Sequence, residues 1–134
     1  MIKQLSIFAE NRKGTLQKIT GILDEHGINM IALITNDSAE FGIIRMLVDK
    51  PEEAESIMGT AGFLTRLDSV IAVEIGDSCG SLNKLLVYVD DCNINVDYLY
   101  MSFNRELGTP IAVLKTPDSA EVESMVVARG YKVL

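Results

Sequence analysis

The chain has 134 residues, enough for one ordinary domain or two very small ones. Its formal charge is -7, from 12 Lys and Arg against 19 Asp and Glu, and this acidity argues against binding to nucleic acid or to an anionic membrane surface. No apolar run approaches the roughly 20 residues that span a bilayer, and the N-terminus lacks the features of a secretion signal. We therefore expect a cytoplasmic protein.

The first half of the chain predicts a strand, a helix, two strands, a helix and a short strand. The predicted strands cover residues 2–9, 28–35, 41–48 and 63–67, and a turn at 36–40 joins the middle two. The first helix begins with Thr15 as its N-cap and ends at His26-Gly27, where the histidine is expected to interact with the helix dipole. Pro51 opens the second helix and Gly62 ends it.

The second half predicts the same order of elements. Its strands cover residues 70–75, 94–103, 109–115 and 130–134, with a loop at 76–80 and a turn at 104–108. Leu82, Leu85 and Val89 mark the stripe of one helix, and Pro117 begins the other. Only Asp68-Ser69 links the two halves.

The two halves are copies of one pattern. A shift of 66 positions aligns residues 14–55 with 80–121 without a gap, and identities include the pairs Gly14/Gly80, Asn29/Asn95, Pro51/Pro117 and Lys18/Lys84. Shared apolar spacing can arise by chance, but shared Gly, Asn and Pro positions indicate a true repeat. The pattern predicts an α+β fold of two ferredoxin-like βαββαβ sandwiches, residues 1–67 and 68–134, each an antiparallel sheet with helices on one face.

Several functions known on this fold are disfavoured by the residues present. The strands lack the paired aromatics that RNA-binding versions use to stack bases. The first loop of each unit lacks CxxC, and with two cysteines and one histidine the chain cannot close a structural zinc site, so we expect no metal, no cofactor and reduced thiols. Arg12 with Asn29 could mimic an acylphosphatase-like enzyme, but Ser78 replaces that arginine in the second unit.

The loop before each first helix carries a family resemblance. Residues 10–16, Glu-Asn-Arg-Lys-Gly-Thr-Leu, followed by His-Gly-Ile-Asn at 26–29, resemble the signature of the ACT domain. Residues 77–82 with Asn-Ile-Asn at 93–95 resemble it again, so the resemblance covers the whole chain. It implies a free-standing, non-enzymatic regulatory protein that binds an amino acid and signals to a partner such as a regulated metabolic enzyme.

The resemblance also implies where the ligand binds. The candidate ligand-binding residues are Asn11, Arg12, Lys13, Gly14, Thr15, Leu16, Asn29, Asp77, Ser78, Cys79, Gly80, Ser81, Leu82 and Asn95. A helix start offers unpaired N–H groups and partial positive charge, and a glycine before it lets a carboxylate approach closely. In paired ACT domains the loop of one unit is completed by the second-strand Asn of the other, so each loop is expected to face the other unit's Asn29 or Asn95.

The two loops are expected to bind a carboxylate with different affinities. Lys13 and Cys79 stand where the family commonly has proline, and Asp77-Ser78-Cys79 replaces Asn11-Arg12-Lys13. The first loop should therefore hold a carboxylate more strongly. Leu16 or Leu82 should face the ligand side chain, and Asn29 and Asn95 are expected near the same end of the sheet as the loop.

Apart from Asn29 and Arg45, residues 28–34 and 43–48 are apolar on both faces, which predicts that a second copy of the chain covers the outer face in a homodimer. Tyr98 and Tyr100, which have no aromatic counterparts in the first unit, are expected to pack in the core or an interface. The rival interpretation is a structural protein–protein interaction module with degenerate sites, and a small ferredoxin-like enzyme is the least favoured.

Overall fold

The computed structural model describes residues 1–10, 12–35 and 41–134. The elements are β1 (Ile2–Glu10), α1 (Thr15–Glu25), β2 (Met30–Thr35), β3 (Phe41–Val48), α2 (Pro51–Thr60), β4 (Leu64–Glu74), α3 (Ser81–Asp91), β5 (Tyr98–Phe103), β6 (Pro110–Lys115) and α4 (Ser119–Ala128). The predicted turn at 36–40 and the candidate residue Asn11 lie outside the described residues. The predicted α+β fold, with the βαββαβ order twice, is confirmed.

The first compact unit comprises residues 3–68. Its strands follow the order β2-β3-β1, with antiparallel pairing on both sides of β3. Both helices pack against one face of β1 and β3, because apolar residues recur every second position on the strands and every three or four on the helices. The buried residues of this core are Leu5, Ile7, Ala9, Ile19, Leu23, Ile28, Ile44, Met46, Val48, Ala54 and Met58.

The second compact unit comprises residues 1–2 and 69–134. Its strands follow the order β4-β6-β5, again antiparallel. The buried residues of its core are Ile71, Val73, Ile75, Leu85, Val89, Ala112, Leu114, Val122 and Val126. The predicted closing strand at 130–134 is reduced to one antiparallel bridge, Val73 to Val133, flanked by backbone hydrogen bonds from Glu74 to Lys132 and from Leu134 to Ala72.

The predicted break at Asp68-Ser69 does not occur, and β4 runs as one strand of 11 residues. The pair contains neither Gly nor Pro, the residues that most often interrupt a strand, and both of its residues can adopt extended backbone. The Asp68 carboxylate accepts a hydrogen bond from Arg66 Nε at 2.9 Å, so its polarity is satisfied along the strand.

Two helix starts differ from the prediction. Thr15 is the first helical residue, and the N-cap is Gly14. In the other unit Pro117 precedes the start, and Asp118 caps α4 by accepting a hydrogen bond from the Glu121 N–H at 3.0 Å. A carboxylate next to a helix start supplies the acceptor that a proline lacks, so the helix begins after Asp118. Pro51 does open α2, as predicted.

Strand β1 lies beside β3, one of the two strands from which the homodimer is predicted, and its residues 4–7 are buried on both faces. Leu5 and Ile7 face the helices, yet Gln4 and Ser6 on the opposite face are also buried, at 0% and 1% exposure in the single chain. A second copy is therefore not needed to cover this strand. Exposed apolar side chains remain on the outer side of β2, at Ile31 and Leu33.

Candidate functional site

The two loop–helix junctions, residues 12–16 and 78–82, share one backbone geometry. Gly14 and Gly80 are the N-caps, with φ of +87° and +85°, a left-handed conformation that glycine adopts at little cost. Neither helix start has a side-chain cap. We call these segments the first and second junction.

Each junction leaves a pair of open amides. In the second, the Ser81 N–H donates to the Ser78 carbonyl and the Lys84 N–H donates to the Gly80 carbonyl, at 3.2 and 2.9 Å. The N–H groups of Leu82 and Asn83, between them, have no acceptor among the described residues. The first junction repeats this arrangement at Leu16 and Gln17. Two adjacent N–H groups at a helix start can hold an anion.

The side chains around the first junction reduce its positive charge. Arg12 forms an ion pair with Glu10, the last residue of β1. The cavity beside Thr15 and Leu16, closed by Thr35 and the start of β3, measures only about 110 Å³. Lys13 is exposed, and neither it nor Gly14 lines this cavity.

The second junction faces a larger cavity, of about 490 Å³, on the side of β5. We call this the β5 cavity. Leu82, Met101 and Phe103 give it an apolar wall, and Asp77 lies at its edge with Ser78, Gly80 and Ser81. Met101 and Phe103 are 43% and 59% exposed, which is high for such large apolar side chains.

On the other side of the same junction lies a second cavity, of about 530 Å³. It is lined by Gly76, Ser78, Cys79, Gly80, Ser81, Lys84, Arg129, Gly130 and Tyr131, and we call it the basic cavity. Its counterpart in the first unit measures about 310 Å³ and includes Glu10, Arg12, Lys18 and Phe63. The prediction omitted Lys84 and Arg129, although the Lys18/Lys84 identity in the repeat was a usable signal.

Asn29 and Asn95 do not lie where the sequence placed them. Both precede their strands, and the Asn29 N–H donates to Asp49 Oδ1 at 3.0 Å. The pairs Glu10–Phe41 and Met30–Val48 put the first loop and Asn29 at opposite ends of β3. That strand has 8 residues, so at about 3.4 Å per residue the ends are roughly 25 Å apart. The expectation that Asn29 lies at the same end as its own loop is wrong.

In the second unit, Asn95 likewise lies far from the loop of its own unit. Its side chain donates to Asp97 Oδ1 at 3.1 Å, and the Asp97 N–H donates to the Lys115 carbonyl. Lys115 is at the far end of β6 from Pro110, which lines the β5 cavity. Neither asparagine is therefore brought to the loop of its own unit, and their part in a site remains a prediction.

The other residues for which the sequence makes a prediction are His26, the two cysteines and the tyrosines of β5. His26 donates from Nδ1 toward the Ile22 carbonyl at 2.8 Å, which confirms its place at the C-terminal end of α1. Both cysteines are free. Tyr100 is buried at 7% exposure, as expected for a packing residue.

Arg129 is held by an aromatic ring in place of a carboxylate. Its guanidinium lies 5.1 Å from the centre of the Tyr88 ring. Burial raises the pKa of Tyr88, with the neighbouring Cys92 adding to the effect, and its hydroxyl donates to the Met125 carbonyl at 3.0 Å. A neutral ring therefore positions this cation beside the basic cavity.

Among the described residues, no group of three or more His, Cys, Asp or Glu side chains could hold a metal ion. Nor does any described helix have the length and apolar character to span a membrane. Two βαββαβ units, each with a glycine-capped helix start beside a cavity, define a tandem ferredoxin-like protein. The chain belongs to the ACT domain pair family, whose model matches residues 1–132. Such pairs are typically regulatory modules, and the resemblance seen in the sequence is confirmed.

Solved structures of other proteins have the same fold. Protein BT0572 from Bacteroides thetaiotaomicron is 26% identical, with a TM-score of 0.90 over 98% of this chain and 90% of that one. The regulatory subunit of aspartate kinase from Thermus thermophilus is 17% identical, with a TM-score of 0.69 over 96% and 90%. The corresponding subunit from Thermus flavus is also 17% identical, with a TM-score of 0.65 over 92% and 86%. The search of curated proteins gave no match.

Proposed function

We propose that the protein binds an apolar amino acid at the second junction and transmits this binding to a partner protein. The observation that carries the proposal is the open amide pair of α3 beside the β5 cavity. A cavity of about 490 Å³ is within the range of small-ligand sites.

Each part of an amino acid has a complementary group at this junction. The carboxylate accepts from the N–H groups of Leu82 and Asn83, where the helix dipole favours negative charge. The ammonium donates to the Asp77 carboxylate. The side chain lies against Met101 and Phe103, whose apolar surface favours an apolar ligand over a charged one.

The first junction is the weaker candidate, which reverses the ranking drawn from the sequence. That ranking counted Arg12 as free positive charge, whereas Glu10 balances it. Its cavity, at about 110 Å³, is also small for a ligand of this size. Asn11, Lys13, Asn29 and Asn95 stay in the proposal as contributors whose role variants must test.

We assign the output to a partner protein, with a metabolic enzyme as the class proposed. Two structures with this fold are regulatory subunits of aspartate kinase, which supports that class. Homodimer formation through the exposed side of β2, at Ile31 and Leu33, is part of the proposal. The two free cysteines support a reducing compartment such as the cytoplasm.

A thermal-shift screen against the twenty amino acids tests the proposal, because a ligand that binds only the folded state raises Tm. Calorimetric titration then measures Kd for wild type and for Phe103→Ser. We expect this variant to weaken binding about tenfold, the equivalent of about 1.4 kcal/mol from a lost apolar contact. The matched control is Leu107→Ser, because Leu107 is 63% exposed and does not line the β5 cavity.

A second variant tests the ammonium contact. Asp77→Asn should weaken binding about tenfold or more by removing a charged acceptor, whereas Asp90→Asn, at the far end of α3, should not. If no amino acid raises Tm, the protein is better interpreted as a protein–protein interaction module without a ligand. The exposed apolar residues on β2 and β5 are the observation that favours it.

A further inference from the structure

The basic cavity has a charge that the proposed amino-acid site does not use. Of the described residues that line it, none is Asp or Glu, although the chain has 19 acidic residues and a net charge of -7. Lys84 and Arg129 both line it, and neither forms an ion pair with a described residue. Two unbalanced cations in one cavity of an acidic protein attract an anion.

Two hydroxyl groups and a close glycine complete the arrangement. The Ser78 and Ser81 hydroxyls lie 2.9 Å apart, on the same side of the junction. A Cβ at Gly76 would be 3.0 Å from Ser81 Oγ, so any larger residue there would push against this hydroxyl. The absence of a side chain at Gly76 therefore keeps the hydroxyl pair in place beside the cations.

The first unit has different residues at several of the positions that line the basic cavity in the second unit. Glu10 stands at the repeat position of Gly76 and Arg12 at that of Ser78. Near the end of each unit the repeat slips by two residues, so that Gly62-Phe63 aligns with Gly130-Tyr131, and Ala61 then stands at the position of Arg129. Only Lys18 has a cationic counterpart, Lys84. The cavity of the first unit thus includes a carboxylate and lacks the second unpaired cation.

We propose that the basic cavity binds a phosphate dianion, as a free ion or as the phosphate of a small phosphorylated molecule, separately from the amino acid. A phosphate monoester carries a charge of about -1.5 to -2 at neutral pH, which two cations match better than one carboxylate does. The planar guanidinium of Arg129 donates two parallel hydrogen bonds to phosphate oxygens, and Lys84 adds a point charge. The Ser78 and Ser81 hydroxyls donate to the remaining oxygens.

The volume of about 530 Å³ leaves room for the organic part of an ester beyond the phosphate itself. Tyr131, which aligns with Phe63 of the first unit, also lines the cavity. Its phenol adds a polar group to an aromatic surface, which suits a polar organic group.

Calorimetric titration of the full chain at low ionic strength, with inorganic phosphate, glycerol 3-phosphate and AMP as probes, tests this inference. We expect at least one probe to bind and Arg129→Gln and Lys84→Gln each to weaken it at least about tenfold. Lys18→Gln is the matched control, since it removes the same charge at the same helix position of the first unit, and it should leave Kd unchanged. Tighter binding of an ester assigns the site to a phosphorylated molecule, and tighter binding of inorganic phosphate assigns it to the free ion.

Amino-acid titrations of the same variants keep the two proposals apart. Lys84→Gln and Arg129→Gln should bind the amino acid found in the screen as wild type does. The phosphate site is overturned if none of the three probes binds wild type, if Lys18→Gln weakens binding as much as Lys84→Gln, or if these two variants lose only the amino acid. Circular dichroism melting of each variant verifies that it is folded.

Discussion

The two junctions have the same backbone and different surroundings. Gly14 and Gly80 adopt φ angles within 2° of each other, at +87° and +85°. Around that common geometry the first unit has Glu10 and Arg12 paired, whereas the second has Gly76 and Ser78 at those positions. The repeat therefore preserves the backbone geometry of the helix start, while the side chains beside it differ in charge.

Because the two junctions share one backbone geometry, comparing them shows what charge contributes to a candidate anion site. A loop rich in Lys and Arg looks the stronger anion site in sequence, but a neighbouring carboxylate cancels the arginine. Conversely, Arg129 is distant from the second junction in sequence and lies beside the same cavity in the structure. A residue at the end of α4 thus supplies the second of the two cations that line the cavity beside the second junction.

The largest expected effect comes from truncating equivalent core residues of the two units. Ile19 and Leu85 occupy the same repeat position and are both fully buried. Ile19→Ala and Leu85→Ala should each lower the free energy of unfolding by about 3 kcal/mol, through lost apolar burial and a cavity. Urea unfolding followed by circular dichroism measures this. A loss below about 1 kcal/mol in either variant would show that one core contributes much less than its burial indicates.

Placing valine at the two capping glycines separates stability from binding. Gly14→Val and Gly80→Val should each cost about 1–2 kcal/mol of stability, because a side chain at φ near +85° is strained while no atom lies within 4 Å of the new Cβ. Only Gly80→Val should also abolish amino-acid binding. Thermal melts and calorimetry on both variants measure the two effects, and equal binding losses would contradict the difference proposed between the junctions.

Helix α4 has a side-chain N-cap, whereas helix α2 has none. Asp118 accepts a hydrogen bond from the Glu121 N–H, whereas Lys50, with similar backbone angles, provides no side-chain cap. Asp118→Ala should lower stability by about 1 kcal/mol, and Lys50→Asp should raise it by a few tenths to about 1 kcal/mol. Urea midpoints of both variants against wild type test this pair. Unchanged midpoints for Asp118→Ala would mean that the cap adds nothing to stability.

The smallest expected effect is a pH dependence confined to the first unit. Hydrogen bonding from Lys3, followed by a backbone hydrogen bond, lowers the pKa of the exposed Glu52 carboxyl below its ordinary value of 4.5. A lowered pKa adds stability above the unfolded value, and that stability is lost as the pH falls through the folded value. Lys3→Met should therefore lower Tm slightly at pH 7 and not at pH 2. A double-mutant cycle with Glu52→Gln isolates the pair, and a Tm difference that persists at pH 2 would assign it to another cause.

Sequence reasoning recovered the fold because the apolar periodicity and the repeat agree with each other. It placed β3 correctly from end to end, and it found both glycine-started helices. It extended β2 and β5 into Asn29 and Asn95, since apolar residues continue there even though the ladder does not. The sequence predicts a link at Asp68-Ser69, but this pair contains neither glycine nor proline and continues β4.

For the candidate site, local sequence identified the junctions and missed what other elements bring to them. Ser81 and Leu82 follow directly from the glycine motif. Met101 lies on β5 and Arg129 is the C-cap residue of α4, so neither can be identified from the loop sequence itself. The ion pair between Glu10 and Arg12 is a side-chain contact, which composition does not reveal.

The unbroken course of β4 has a consequence for proteolysis. Between Leu64 and Glu74 the backbone is in a strand throughout, so the boundary between the two repeats offers no loop to an enzyme that binds its substrate as a free extended segment. Arg66 lies inside this strand with its side chain 60% exposed, a residue that trypsin recognises at a bond that it cannot readily reach. Cleavage at this boundary would require local opening of the strand, so proteolytic excision of either repeat as an intact fragment is disfavoured.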